Sequence, residues 1–305
     1  MPLPSHMTSL ATHSAPAQTR SPSQPLQQIR LVLRQLTRRP QSLIGMILVI
    51  LFILLAIFGP AIAPHRFDEI IRGAARLAPT AQYPLGTDTL GRDVFSRVLW
   101  GAREIIVLPT LTTMLSVMFG TAIGLLIGYY GGLLDNVISR IMDSLLAIPA
   151  LVLALVMLGT IGPSPIGIIV VIVLLYTPIV ARVVRSATLN VRSAGYIEAA
   201  RLRGETIAFI LFREILPGVL PALIVEAALR FSYAIFLTAS LGFLGLGVQP
   251  PSPDWGRMVN EARSSFAQTP WALWAPSGAI ALLIIGVNLL SDGLRRIFRY
   301  EGGLG

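Results

Sequence analysis

The sequence predicts an all-α membrane protein with six transmembrane helices. Hydrophobic residues make up 54% of the 305 residues and charged residues only 13%, about half of the charged fraction of a soluble domain. Several apolar runs exceed the roughly 18 residues that a helix needs to cross a bilayer. Arginines flank these runs, as expected for loops beside a membrane. A polytopic helical membrane protein accounts for all three observations.

Two segments precede the first predicted span. Residues 1–25 are rich in Ser, Pro, Gln, Thr and His, a composition that predicts a disordered cytoplasmic tail. Residues 26–40 are predicted to form an amphipathic helix on the inner membrane face. Apolar residues recur there at helical spacing between arginines: Leu26, Ile29, Leu33 and Leu36.

The remaining chain divides into two parts. Residues 41–104 are predicted to hold the first transmembrane helix and an external loop, and residues 105–300 a core of five further transmembrane helices with a large cytoplasmic loop at 186–216. Pro149 predicts a kink in the third span, which neighbouring helices can tolerate. The six predicted spans are approximately Leu43–Ala63, Ile105–Tyr130, Ile141–Ile161, Ile166–Val184, Ala222–Val248 and Leu273–Leu290.

The distribution of arginine predicts the orientation, because cytoplasmic loops carry an excess of basic residues. The stretch 182–213 holds six arginines, whereas loops 162–165 and 249–272 hold none and two. Both termini and the 186–216 loop are therefore expected in the cytoplasm, in a multi-pass protein of the cytoplasmic (inner) membrane. The external loop within 64–104 also holds six arginines, so the orientation depends on the C-terminal half of the chain.

Missing residue types exclude most catalytic chemistry. The chain has no Cys, its 24 basic residues are all Arg, and its three histidines are His6, His13 and His65. A P-loop requires a Lys to hold the β- and γ-phosphates, so we expect no ATP-hydrolysing site. We also expect no catalytic residue, metal site or bound cofactor in this chain. The net charge of +9 is attributed to arginines beside the spans, and no nucleic-acid binding is expected.

The predicted cytoplasmic loop contains a short helix. Ser193 is predicted to cap a helix over Tyr196–Arg203, and Gly204 to end it. A helix of two turns is marginal alone and needs a surface to dock against. On shape alone, an ordinary amphipathic surface loop remains an equal alternative.

A second segment lies in the predicted external loop. Thr87 or Asp88 is predicted to cap a helix there, with Leu90, Val94 and Val98 forming one stripe. Asp88 with Arg92, and Asp93 with Arg97, have the i,i+4 spacing of helical ion pairs. The segment is interpreted either as an interfacial helix held by its own salt bridges or as a contact surface or lid at the outer face.

A third candidate is a charged pair inside the fifth predicted span. Glu226 and Arg230 are four residues apart and so lie on one helix face. An unpaired Arg near the bilayer centre costs at least roughly 2.5–3.5 kcal/mol, so the two residues are expected to pair or to face a wet cavity. The alternatives are a structural pair near the cytoplasmic end of the span and a functional pair that faces a wet cavity.

These segments resemble a known family. Glu198-Ala199-Ala200, Gly204 and then Leu216-Pro217 resemble the EAA loop of permeases in binding-protein-dependent ABC importers. The stretch Tyr83–Arg103 resembles the GTDxxGRD segment of dipeptide, oligopeptide and nickel permeases, in particular the second, "C-type" subunit of each pair. The Gly- and Pro-rich stretch Ser240–Gly256 is also similar to that family. Glu214 and Gly218 depart from its usual residues.

The resemblance implies the type I ABC importer permease fold, with the helix in the loop acting as a coupling helix that docks into an ATPase subunit. The residues that it marks for coupling are Tyr196, Glu198, Ala199, Ala200, Arg203, Gly204, Leu216 and Pro217. The external motif that it marks consists of Gly86, Thr87, Asp88, Gly91, Arg92, Asp93 and Arg97.

The same resemblance implies partners and a substrate class. The partners would be a homologous permease subunit, two ATPase subunits that bind ATP and Mg, and an external solute-binding protein. Di- or oligopeptides are the expected substrates, with nickel or another small solute as the alternative. An ion-coupled secondary transporter would need midplane carboxylates or broken helices in two repeat halves, and no repeat is visible. Missing His and Cys disfavour an intramembrane enzyme, and a scaffold subunit would show no uptake defect on deletion.

Overall fold

The computed structural model describes residues 34–301, with side chains through residue 298. The predicted tail at 1–25 lies outside the described residues. So does most of the predicted amphipathic helix at 26–40, of which residues 34–37 are seen to be helical.

The described chain folds into helices joined by short turns and by two longer loops, at 63–93 and 244–254. Helix α7 follows a three-residue helix at Ile207–Phe209 and a π-helical segment at Ile210–Ile215. The helices are α1 Pro40–Ile62, α2 Val94–Tyr130, α3 Gly132–Leu146, α4 Ala150–Ile161, α5 Pro165–Val191, α6 Gly195–Leu202, α7 Leu216–Phe243, α8 Trp255–Arg263 and α9 Pro270–Glu301.

Six membrane spans are present if the bent pair of helices α3 and α4 counts as one. Within the described residues, five other helices are long and apolar enough to cross a bilayer. The short helix α6 follows the C-terminal end of α5, and α8 follows the C-terminal end of α7, so they lie at opposite ends of the bundle. We refer to these as the α6 end and the α8 end. The predicted all-α fold with six spans is confirmed.

The second span begins earlier than predicted. Helix α2 starts at Val94 instead of Ile105, so residues 94–104, which were assigned to the external loop, form its first three turns. The reason is the cap: the Asp93 carboxylate accepts hydrogen bonds from the backbone N–H groups of Phe95 and Ser96, at 3.2 and 3.1 Å. These are orphan donors at the first turn of any helix.

The third span is broken more sharply than a kink. Helices α3 and α4 meet at an angle of 84°, and the break lies immediately before Pro149. Proline donates no backbone hydrogen bond and disfavours helical geometry at the residue before it. The predicted start of this span at Ile141 is therefore wrong, because the bent span begins with α3 at Gly132, and α4 forms its second part.

Helices α2 and α5 form the closest-packed pair. Gly120, Gly124 and Gly128 follow one another at four-residue intervals along α2. A Cβ on any of them would lie 2.6–2.7 Å from Cβ atoms of α5, on Val180, Val184 and Thr188 respectively. Small residues at this spacing let two helix backbones approach closely within a membrane.

Candidate functional site

Helix α6 begins and ends near its predicted limits, but with a different N-terminal cap. It covers Gly195–Leu202, and its N-cap is Ala194, whose side chain makes no capping hydrogen bond. The predicted Ser193 cap is therefore wrong, because the helix begins one residue too late for the Ser193 side chain to act as N-cap. Gly204 has φ of 74° and follows the helix directly, as expected for a glycine that ends a helix in the left-handed region.

One face of α6 is fixed to the bundle. Ile197 and Ala200 are fully buried in a cluster that includes Val184 of α5, Ile215 before α7 and Leu125 of α2. Ala200, which was predicted to contact a partner, therefore packs inward. Three spans therefore contribute residues to the surface against which α6 packs.

The other face of α6 is open. Glu198, Ala199, Arg203 and Gly204 are exposed, and Leu202 is 90% exposed. An exposed leucine of this kind on a rigid helix indicates an interaction surface when other apolar side chains surround it. Further exposed apolar side chains at this end are Tyr196, Ile207 and Phe212. The sequence resemblance did not identify Leu202, Ile207 or Phe212, because their exposure depends on how the loop packs.

The two departures from the family pattern have structural explanations. Glu214 Oε1 lies 4.0 Å from Arg203 Nη2, so this acid faces the end of α6 and brings a negative charge near its last turn. A Cβ on Gly218 would lie 3.2 Å from Val191 Cγ2, so glycine lets the start of α7 pack against the end of α5. Leu216 and Pro217 form the first turn of α7, with Pro217 exposed.

Two arginines connect the loop to the α6 end of α2. The Arg192 guanidinium donates a 2.9 Å hydrogen bond to the carbonyl of Gly128. The Arg201 guanidinium lies over the Tyr129 ring, 4.7 Å from its centroid, within the range of a cation–π contact. These contacts hold the segment before α6 and α6 itself against α2.

The external motif forms a buried ion-pair network at the α8 end. Arg92 Nε lies 2.6 Å from Asp88 Oδ2, which confirms the predicted i,i+4 pair. Arg97 does not pair with Asp93, which caps α2 instead. Its Nη1 donates to Asp88 Oδ2 at 2.9 Å and to Glu261 Oε2 at 3.1 Å. The predicted helix capped by Thr87 or Asp88 is also wrong, since Leu90 lies in the preceding turn and is exposed.

The turn before α2 holds the same motif in place. Thr87 is fully buried; its hydroxyl accepts from the N–H of Leu77 at 2.8 Å, and its carbonyl accepts from Trp271 Nε1 at 2.9 Å. Gly86 and Gly91 have positive φ values of 66° and 82°. A Cβ at either would lie within 2.8 Å of a neighbouring atom. The motif is thus an internal framework, with Arg92, Asp93 and Arg97 themselves buried.

Two carboxyl groups at the α8 end have shifted pKa values of opposite sign. Burial alone would raise the pKa of Glu261, but the guanidinium groups of Arg97 and Arg92 outweigh it and hold the pKa below its ordinary value. Burial raises the pKa of Asp254 to about 7, against a hydrogen bond from the N–H of Arg257 that favours the ionised form. Asp254 caps α8 through that hydrogen bond, at 2.7 Å.

The predicted pair in the fifth span is formed. Arg230 Nε lies 2.8 Å from Glu226 Oε1, and the pair lies near the middle of α7 instead of near the end that follows the 186–216 loop. The Arg230 guanidinium also faces the rings of Tyr176 and Tyr233, at 5.4 and 4.8 Å from their centroids. Tyr233 is exposed on the isolated subunit. The described residues contain no group of three His, Asp or Glu side chains that could hold a metal ion.

Comparison with known protein families assigns the chain to a family. Residues 120–299 match the family described as "Binding-protein-dependent transport system inner membrane component", and residues 27–79 match the "N-terminal TM domain of oligopeptide transport permease C". The chain belongs to the binding-protein-dependent transport permeases. The family assignment made from the three sequence segments is confirmed.

Relatives of this permease are similar over most of their length. It is 36% identical to the dipeptide transport system permease protein DppC of Alkalihalophilus pseudofirmus, over 93% of this chain and 96% of the relative. It is 38% identical to the glutathione transport system permease protein GsiD of Pectobacterium atrosepticum, over 86% of this chain and 87% of the relative. These relatives are permease subunits, so the expectation that this chain is a transport subunit and not an enzyme is confirmed.

A solved structure confirms the fold of the permease. The inward-facing MetNI methionine ABC transporter superposes with a TM-score of 0.54 at 22% identity, over 67% of this chain and 95% of the other. The permease therefore has the type I importer fold, in a multi-pass protein of the inner membrane.

Proposed function

We propose that this permease carries di- or oligopeptides into the cell as one membrane subunit of an ATP-driven importer. The observation that carries the proposal is helix α6, which has one face packed into the core and the other exposed with Leu202 at its tip. The substrate class is supported by the dipeptide and glutathione permeases to which the chain is similar along nearly its full length.

We propose partners for both ends of the bundle and for its membrane part. A homologous permease subunit completes the membrane part as a heterodimer, and two ATPase subunits that bind ATP and Mg dock at the α6 end in the cytoplasm. A solute-binding protein delivers substrate at the α8 end, outside. Both termini are then cytoplasmic, because α1 begins and α9 ends at the α6 end.

The coupling role belongs to the exposed face of α6 and its surroundings. Tyr196, Glu198, Ala199 and Leu202 contact the ATPase subunit, and Gly204 allows the chain to turn back without lengthening the helix. When the ATPase subunits close on ATP, they pull α6. Because Ile197 and Ala200 are fully buried among residues of α2, α5 and the segment before α7, the spans move with it.

The pathway passes the charged and aromatic cluster at mid-depth. Arg230 is held by Glu226 and flanked by Tyr176 and Tyr233. Ionisable residues within a membrane mostly face cavities or partners inside the protein. We assign Tyr233 and Arg230 to the surface that faces the second permease subunit, where a peptide backbone can hydrogen-bond as it passes.

Uptake into proteoliposomes tests the proposal. The complete complex with its solute-binding protein is supplied with radiolabelled dipeptide, tetrapeptide or ⁶³Ni²⁺, with ATP or a non-hydrolysable analogue inside. We expect ATP-dependent accumulation of at least one peptide and none of nickel. Accumulation of nickel alone would show that the substrate assignment is wrong. Peptide uptake that persists without ATP and stops when the proton gradient is collapsed would show that the transporter is driven by ions.

A further inference from the structure

A cavity lies at the α8 end, apart from helix α6 and from the Arg230 cluster. It has a volume of about 400 Å³, within the range of small-molecule sites. Its walls come from the start of α2, the start of α5 and the loops on either side. The lining residues used below are Phe67, Trp100, Arg103 and Glu104.

The cavity presents two opposite charges side by side. Arg103 is exposed and makes no ion pair with any described residue. Glu104 is half-buried, and one of its oxygens accepts a hydrogen bond from the Ser252 hydroxyl. The other carboxylate oxygen has no hydrogen-bond donor among the described residues. Each charge can therefore bind a group of opposite sign on a ligand.

The rest of the lining is apolar and aromatic. The rings of Phe67 and Trp100 lie 5.2 Å apart, centroid to centroid. The Trp100 indole N–H is buried and has no acceptor among the described residues. The aromatic faces suit both an ammonium group and an apolar side chain.

From these contacts we propose that the cavity is an entry site that binds the two charged ends of a short peptide, an inference that rests on the proposed peptide import. Glu104 binds the peptide ammonium and Arg103 binds its carboxylate, beside the rings of Phe67 and Trp100. An extended dipeptide spans roughly 7 Å, a separation that two long side chains on consecutive helical residues can reach. In a longer peptide only one end can bind at a time.

The charge pattern separates this ligand from an anionic lipid. A lipid phosphate would be attracted by Arg103 and repelled by Glu104, which lies next to it along α2. The Ser252 hydroxyl donates a hydrogen bond to one Glu104 oxygen, so moving this carboxylate away would cost that hydrogen bond. A zwitterion satisfies both groups at once, and a free peptide is such a zwitterion.

The test measures equilibrium binding of labelled dialanine to the complex of permease and ATPase subunits, without the solute-binding protein, in phosphatidylglycerol nanodiscs. The variants are Glu104→Gln and Arg103→Gln, and the control is Arg263→Gln, which removes an exposed arginine from the same end of the bundle. We expect each variant to weaken binding about tenfold or more, the effect of losing a charge-assisted hydrogen bond. The control should bind like the wild type.

Blocked peptides provide a second readout that misfolding would not reproduce. N-acetyl-dialanine should bind the wild type weakly, and Glu104→Gln should weaken it no further. Dialanine amide should behave in the same way towards Arg103→Gln. Normal dialanine binding in both variants would overturn the proposal. It would also be overturned if phosphatidylethanolamine displaced dialanine while the blocked peptides bound as well as the free one, since the cavity would then hold a lipid.

Dipeptide uptake by the same variants, measured in proteoliposomes with the solute-binding protein added, separates the two proposals. If the wild type imports dialanine but both variants bind it normally, the entry site is wrong and the proposed function stands. If the wild type neither imports nor binds a dipeptide, both proposals fail.

Discussion

The substitution Glu261→Gln tests whether the ion-pair network at the α8 end holds that end together. Glu261 Oε2 accepts from Arg92 Nη2 at 2.8 Å and from Arg97 Nη1 at 3.1 Å. The Arg97 side chain is only 2% exposed. Glutamine keeps the size of the side chain and removes its charge, so two buried guanidinium groups are left to share Asp88.

The expected cost follows from these contacts. Removing one partner of a buried ion pair costs about 3–5 kcal/mol. Asp88 remains as a counter-charge, so we expect the lower end, about 3 kcal/mol. For a domain of 150–250 residues, 1 kcal/mol corresponds to roughly 2–4 °C in melting temperature. The purified complex should therefore lose its size-exclusion peak at a temperature lower by about 6 °C or more.

The control is Glu69→Gln, which removes an acid at the same end with a side chain 47% exposed. Exposed pairs contribute about 0–1 kcal/mol, so its melting temperature should hardly change. Adding Arg92→Gln to Glu261→Gln should recover part of the loss, because Asp88 then serves Arg97 alone. Equal melting temperatures for Glu261→Gln and Glu69→Gln would refute the reasoning.

Three further predictions concern other parts of the molecule. The folded state raises the pKa of Asp254 from 3.8 to about 7. This carboxyl therefore stabilises the fold below about pH 4, and the contribution is lost as the pH rises through 7. The melting temperature of Asp254→Asn should depend less on pH between 4 and 8 than that of the wild type, and an unchanged pH profile would contradict this. Glu226→Ala should reduce the yield of assembled complex more than the double variant Glu226→Ala/Arg230→Ala does, because the single change leaves an unpaired arginine within the membrane. Equal yields would count against the ion pair. Normal uptake by both single variants and by the double variant would exclude a pathway role. Gly124→Leu should prevent assembly, since a Cβ there would lie 2.5 Å from the Ala181 carbonyl, whereas Gly159→Leu, with nothing within 4 Å, should assemble normally.

The sequence predicted the fold because membrane-spanning helices are encoded locally. A long apolar run must form a helix in a bilayer, since every backbone group has to be hydrogen-bonded within the protein. The helix of the coupling loop was predictable for a similar reason: Gly204 ends it whatever the surroundings. The glycines at 120, 124 and 128 were also visible in the sequence, and their four-residue spacing could have predicted the contact between α2 and α5.

Contacts between distant residues could not be predicted in this way. Arg97 and Glu261 are 164 residues apart, and no local pattern connects them. The i,i+4 rule instead suggested Asp93 as the partner of Arg97, but Asp93 is drawn to the free N–H groups at the start of α2. The exposure of Leu202 could not be predicted either, because the packing of Ile197 and Ala200 against the bundle determines which face of α6 is exposed.

The most direct test of the central claim uses Gly204→Asp in the coupling helix and Gly73→Asp as its matched control. Both glycines have positive φ, 74° and 76°, and nothing lies within 4 Å of a Cβ at either. The two variants therefore carry the same backbone strain and the same added charge, at opposite ends of the bundle. ATP-dependent dipeptide uptake and ATP hydrolysis are measured together in proteoliposomes. We expect Gly204→Asp to lose uptake in an assembled complex while Gly73→Asp transports normally; normal uptake by Gly204→Asp would contradict the coupling role of this helix.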